Sequence, residues 1–408
     1  MKKALKIALK TLIISIVVVV VVLIVFLIYS SVTFYKPEPV EKLAFTNNKN
    51  VPVINRTELS LLTWNIGYCG LGKDVDFFYE GGKMTRPRED QFQTYLNSVF
   101  NFISRNDSMD FILLQEVDFD SRRSYHINES ELFNKALTKH SSTYAYNYKV
   151  KYVPLPIFNP MGFVESGVMT FSKFDITESS RYAYMASHSW PTKLFQLSRC
   201  FVMSRFKTES GKDLILINTH NSAFGNEESL RKFEMILLRS YMLSEYEKGN
   251  YVIAGGDWNQ NPPKFDSVKY SYGYLKEKGV SQLEGDFFPA SWKINFDKNI
   301  PTNRSVVKPF NMKETKTTTL DYFITSPNIE TLDVKVFQNY FEDSDHQPVY
   351  LKIRLSENPE LNLLKRSIDY INMLEDSISN ISSKRGGKKA TSNKKSKKTD
   401  LYYEDKIF

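Results

Sequence analysis

Apolar positions follow three different rules along this chain. From Thr11 to Tyr29 they run uncharged for 19 residues, mostly Val, Ile and Leu. At about 1.5 Å rise per residue such a run nearly spans a bilayer core of roughly 30 Å, so it predicts a transmembrane helix. From Leu59 to about Leu355 short apolar stretches alternate with amphipathic ones, which predicts one long α/β or α+β body. Strands are expected at Leu59–Trp64, Phe111–Gln115, Val168–Phe171, Leu214–Asn218, Tyr251–Ala254, Leu320–Thr325 and Val349–Ile353. Phe92, Leu96, Val99 and Ile103 recur at helical spacing, as do Leu230, Phe233, Leu237 and Tyr241, and both stripes read as core faces.

The third regime begins after Pro359. Leu361, Leu364, Ile368, Ile371 and Ile378 mark an amphipathic helix that suits packing on the body or on a second copy. From Ser382 to Lys398 apolar residues all but vanish, and a segment that buries so little surface is expected to stay disordered. The expected organisation is thus 1–33 as a cytoplasmic stub and anchor, 34–57 as a linker, 58–356 as the body, 357–381 as a helix and 382–408 as a basic tail. The linker reading rests on Pro37, Pro39, Pro52 and the Asn47–Asn50 run.

Charge changes this picture in two places. Residues 1–10 and 384–408 carry +4 and +6 of a net +8, which leaves −2 for everything between, so the body is not basic despite a pI near 9.0. Lys2, Lys3, Lys6 and Lys10 precede the apolar run and no Lys or Arg follows until Lys36. That asymmetry puts the N-terminus in the cytoplasm and the body outside. A cleaved signal peptide is the rival reading, disfavoured by the length of the run and by the poor cleavage pattern at Tyr29-Ser30-Ser31. The basic tail suits loose attachment to a polyanion. Cys69 and Cys200 lie in no metal-binding spacing; two buried thiols or one disulfide both fit.

Polar residues gather where the predicted strands end: Asn65, Gln115 and Glu116, His220, Asp257 and Asn259, Asp321, and Asp345 with His346. Glu116 and Asp345 are hard oxygen donors with Asn65 as a neutral third, a set that suits Mg²⁺ better than Zn²⁺ and also accommodates Mn²⁺ or Ca²⁺. Two histidines and a further carboxylate remain to orient water and bind developing charge, which fits hydrolysis of a phosphate ester.

Thr63-Trp64-Asn65-Ile66-Gly67, Leu114-Gln115-Glu116-Val117, Asn218-Thr219-His220, Gly256-Asp257-Trp258-Asn259, Leu320-Asp321-Tyr322-Phe323 and Ser344-Asp345-His346-Gln347-Pro348-Val349 follow one another in an order that resembles the endonuclease/exonuclease/phosphatase superfamily. That group includes DNase I-like nucleases, abasic-site endonucleases, neutral sphingomyelinases and inositol polyphosphate 5-phosphatases. The resemblance spans Leu59 to Ile353. It implies a DNase I-like four-layered α/β sandwich, two facing β-sheets flanked by helices, with the site at one rim.

The resemblance also implies roles. Glu116 would bind the metal, with Asn65 and Asp345 helping directly or through water. Asp257 would orient and deprotonate the attacking water while Asn259 holds it and the phosphate; His346, oriented by Asp321, would stabilise the transition state, and His220 would be a second phosphate contact or a general acid. Loops at Tyr68–Arg88, Tyr144–Glu165, Ser187–Arg199 and Gln260–Arg304 would set specificity, with Arg86, Arg88, Trp190 and Lys193 as candidate substrate contacts. The aromatic cluster Tyr144, Tyr146, Tyr148, Tyr152 and Phe158 suits either a substrate groove or core packing. Nucleic acid, a phospholipid or sphingomyelin-type diester and an inositol-phosphate-type monoester stay open as substrates, as does a non-catalytic scaffold. The pattern gives no sign of an exposed apolar hairpin that would enter lipid.

Overall fold

The computed structural model describes residues 2–46, 51–184, 188–223, 228–265, 273, 275–277 and 279–356. The helix expected at 357–381 and the basic tail at 382–408 lie outside them. Two seven-stranded sheets form the frame. The first runs in the order β16 (Ile329–Val336), β17 (Val349–Leu355), β3 (Glu58–Asn65), β4 (Phe111–Ser121), β6 (Gly162–Ser172), β5 (Ser141–Val153) and β2 (Phe45–Thr46). The second runs β1 (Val40–Lys42), β7 (Glu178–Ala183), β8 (Cys200–Lys207), β9 (Asp213–His220), β10 (Tyr251–Asp257), β15 (Asp321–Thr325) and β12 (Lys293–Asn295). A small third sheet joins β11 (Leu275–Lys276), β14 (Lys316–Thr318) and β13 (Asn303–Arg304).

The layering follows from strand alternation. In β3, Leu59 and Leu61 face the second sheet and pack with Leu214, Leu216, Tyr251 and Ile253, while Leu62 and Trp64 face the other way. That outer face is covered by α2 (Glu89–Arg105) and α3 (Glu129–Ala136) through Phe92, Leu96, Val99, Ile103 and Phe133. On the far side, Ile215, Ile217, Val252 and Ala254 meet Met235, Leu238 and Met242 of α4 (Glu228–Glu247). Central strands buried on both faces explain why the sequence reads there as continuous apolar runs. The four-layered sandwich is the one expected.

Several expectations need correction. Segment 34–57 is no free linker: β1 pairs with β7 and β2 with β5, so it edges both sheets, and Ile54 enters the core between them. Tyr144–Glu165, read as a loop, is most of the β5–β6 hairpin, and its Tyr-Ala-Tyr-Asn-Tyr-Lys-Val-Lys stretch carries a period-two pattern. Within it Tyr144 and Tyr148 are used in packing, whereas Tyr152 and Phe158 are exposed. Of the two readings open for the cysteines, the buried-thiol one holds: Cys69 and Cys200 are free and lie in separate apolar clusters, where burial pushes both above the usual thiol range.

The apolar run lies in one helix, α1 (Lys2–Val32), long and apolar enough to cross a membrane and almost wholly exposed along its length.

Candidate active site

The parallel pairing of β3 with β4 and of β9 with β10 delivers four strand ends to one rim of the sandwich. Asn65 is opposite Gln115, and Asp257 is paired across to His220 on one side and to Asp321 on the other. Two local devices sharpen the placement. Glu116 sits in an irregularity of the β4–β6 ladder between Leu114 and Val117, with φ +54, a strained conformation for a residue with a side chain. Gly256, at φ +147, lets β10 approach β9 so closely that a Cβ there would lie 2.0 Å from the Thr219 carbonyl oxygen.

The side chains then form one connected network. Asn65 Nδ2 donates to Glu116 Oε1 at 3.3 Å and to Asp257 Oδ2 at 3.0 Å, while its Oδ1 accepts from the Gly67 N–H at 3.0 Å. The amide orientation is the one that satisfies all three. Asn65, expected as a metal ligand, therefore turns its nitrogen to the two carboxylates and orients them. Asp257 Oδ1 accepts from the Asn259 N–H at 2.9 Å, and Asn259 Nδ2 is held by the Asn221 carbonyl oxygen at 2.9 Å. His346 Nδ1 lies 2.7 Å from Asp321 Oδ2, and its Nε2 is 3.8 Å from Asp257 Oδ2. His220 Nε2 lies 3.5 Å from Asp257 Oδ2 and 4.0 Å from Glu116 Oε1. Ser344 Oγ bonds the Asn65 carbonyl oxygen, and Trp64 Nε1 donates to the carbonyl of His346, so the strand β3 and the Asp345-His346 turn are locked together.

Burial sets the electrostatics. All these residues are buried except Glu116, whose side chain is 23% exposed and so lines the mouth. Burial pushes the Asp345 carboxyl up to about 7, against the pull of His346 and with the help of the Glu116 charge. Burial also raises Asp257 and drives His220 well below the usual imidazole range. For His346 burial works against the charged ring, but Asp321, Asp257 and Asp345 outweigh it and hold the ring well above that range. Among the described residues, Asp257, Asp321 and His346 bring three metal-capable atoms within 4.8 Å of one another.

Three site residues escaped the motif reading. Arg123 is buried, holds Asp118 through two nitrogens at 2.9 and 3.1 Å, stacks 3.7 Å over the Tyr68 ring and stands 3.8 Å from Glu116. The Asn303 side-chain amide meets His346 Nε2 at 2.9 Å, with its oxygen as the acceptor when the ring is protonated, and Asn147 Nδ2 approaches His220 Nδ1 at 3.4 Å. Only Asn147, a polar residue in an aromatic stretch, carried a local hint. Three of the four substrate candidates make contacts outside this network. Arg86 donates to the Arg122 carbonyl and stacks over Tyr125; Arg88 pairs with Asp90 at the start of α2. Trp190 donates to Ser31 Oγ near the end of α1, and Lys193 lies in a short 3₁₀ turn, Thr192–Phe195. Of the remaining histidines, His140 is buried against the Met109 carbonyl and His126 pairs with Asp120 at the surface.

The family model for the endonuclease/exonuclease/phosphatase family matches residues 62–346. No curated protein matches the sequence. Solved structures similar to the chain include the endonuclease/exonuclease/phosphatase from Beutenbergia cavernae DSM 12333, at 15% identity, covering 74% of this chain and 72% of that one with a TM-score of 0.47. TDP2 from D. rerio in complex with a single-strand DNA product is 13% identical over 73% of this chain and 99% of that one, with a TM-score of 0.46. The human Nocturnin catalytic domain with bound sulfate is 14% identical over 77% and 97%, with a TM-score of 0.44. With the family model spanning most of the chain and the rim assembling its motif residues, the chain belongs to the endonuclease/exonuclease/phosphatase family and is a phosphoesterase.

Proposed function

We propose that this phosphoesterase is anchored in a membrane by α1, depends on a divalent cation, and cleaves a phosphodiester by in-line attack of water. The observation that carries the proposal is the unbroken series Glu116, Asn65, Asp257, His346 and Asp321, each within reach of the next. The donor chemistry at the mouth fits a hard cation. Glu116 and Asp345 would supply the oxygen donors, carboxylates of the hard type that such a cation prefers. When bound, Mg²⁺, or Mn²⁺ or Ca²⁺ on the same donors, neutralises phosphate oxygens and stabilises the leaving oxygen. The rival set of Asp257, Asp321 and His346 is assigned to proton handling, because His346 and Asp321 already engage each other at 2.7 Å.

The chain's own residues do the rest. Asp257, made more basic by burial, takes the proton from the attacking water, and Asn259 holds that water and the phosphate. His346 stays protonated through its carboxylate neighbours and donates from Nε2 to the phosphate as charge builds. Asp321 fixes which ring nitrogen carries that role, and neutral His220 offers a second phosphate contact. Lysines before α1 and none directly after it support a cytoplasmic N-terminus and an extracytoplasmic catalytic body.

The test is hydrolysis by the full chain in detergent micelles with Mg²⁺, across plasmid DNA, abasic-site DNA, sphingomyelin and phosphoinositides. Turnover of one class, abolished by chelator and by Glu116→Gln, is the expected result; turnover that survives either treatment overturns the assignment. Protease added outside intact cells should remove the body, and full protection without permeabilisation would reverse the topology.

A further inference from the structure

We propose that the tip of the β5–β6 hairpin, residues 154–161, is a second membrane contact that enters the outer leaflet beside α1. The inference rests on the reading of α1 as a membrane span. The tip contradicts the expectation that no apolar hairpin is exposed: Phe158 is 100% and Ile157 77% exposed, and Leu155 is exposed beside them. Adjacent exposed large apolar side chains are unusual on a soluble surface and mark a place that something covers.

The occupant follows from the packing of β5 against the exit of α1. Tyr146 of β5 meets Tyr35; the stretch Lys149–Tyr152 lies against Tyr29, Ser30, Thr33 and Phe34; and Tyr152 meets Phe26 with ring centroids 6.1 Å apart. As β5 advances, its partners on α1 step backward. The strand therefore runs antiparallel to the helix, from the end that leaves the bilayer toward the span itself. Phe26 lies inside the uncharged run and also stacks on Phe195 at 5.6 Å, so the body already reaches the apolar span at Tyr152. Leu155, Ile157 and Phe158 lie further along the same path.

The tip is also built to hold its shape. The Met161 N–H bonds the Leu155 carbonyl at 2.9 Å, the Asn159 N–H bonds the Pro156 carbonyl at 3.1 Å, and Arg122 grips Asn159 Oδ1 and the Pro160 carbonyl from below. A loop pre-shaped in this way presents its apolar side chains without an ordering cost on insertion. Lys149 and Lys151, set behind the tip, and the exposed ring of Trp190 suit the headgroup level.

The test uses the full chain reconstituted in phosphatidylcholine vesicles, with a nitroxide on one introduced cysteine and the unsubstituted chain as background for the two buried thiols. Phe158→Cys and, as a second tip position, Ile157→Cys report on the hairpin; Val20→Cys reports on α1; Ser210→Cys, in the exposed β8–β9 turn at the opposite end of the sheet, reports on water. Collisions with oxygen should exceed those with a nickel chelate at 158, 157 and 20, and the order should reverse at 210. A label at 20 in lipid with those at 157 and 158 matching 210 overturns the hairpin contact and leaves the anchor standing. A tip label shielded from both reagents assigns the surface to protein, a second copy included, and overturns it too. A label at 20 in water overturns anchor and hairpin together.

Discussion

The rim and the hairpin tip break the ordinary rule of soluble surfaces in opposite directions. At the rim, carboxylates and imidazoles are buried and bonded to one another; at the tip, large apolar side chains stand in the open. Both arrangements are costly in isolation. Each becomes reasonable on the proposals above, in which a cation and phosphate complete the one and lipid the other. The contrast teaches that a surface is best read by what it lacks.

The strongest way to break the comparison is to attack the rim. Glu116→Gln or His346→Ala should lower the rate at least about 10²-fold with the fold retained, read by turnover alongside circular dichroism. Retained turnover in either would dissolve the assigned site. Next comes a core position away from both regions, toward the opposite end of the sheet: Leu61→Ala, fully buried between the sheets, should cost about 2–5 kcal/mol in a denaturant titration of the full chain.

A smaller effect separates burial from bonding. Asp345 has an ordinary pKa near 3.8 and one of about 7 in the fold, so between those values the folded state binds more protons than the unfolded one. Its contribution to stability must then fall as pH rises through that window. In chelator, Asp345→Asn should flatten this part of the thermal stability profile, and an unchanged slope would place the raised carboxyl elsewhere. The smallest effect belongs to the tip: Phe158→Ser should change stability in detergent by less than about 0.5 kcal/mol, because the ring touches so little protein.

Much of the fold was legible because the central strands are buried on both faces and their sequences are unbroken apolar runs. Glu116 and Asp257 were legible because each follows such a run, and His346 because it stands three residues before one. Reading failed where polarity and structure diverge. β5, β7 and β8 mix Tyr, Ser, Arg and Lys with apolar residues, and the outer strands β1 and β2 are two or three residues long among prolines. Arg123 and Asn303 contribute through tertiary contacts that no local spacing encodes. Phe158 was read as part of an aromatic cluster because sequence separates neither a buried ring from an exposed one nor a turn from the strand that leads to it.

In β5, Asn147 touches His220 at the centre, and Val153 opens the tip. At about 3.3 Å per residue the stretch between them is a post of up to roughly 20 Å. If the tip enters the leaflet as proposed, the foot of this post lies below the lipid surface, since Tyr152 already meets Phe26 of the apolar run, and the catalytic centre would stand less than that length above it. Under that proposal an ester in the membrane would meet the rim only by rising clear of the lipid surface, whereas one arriving from the medium would meet it directly.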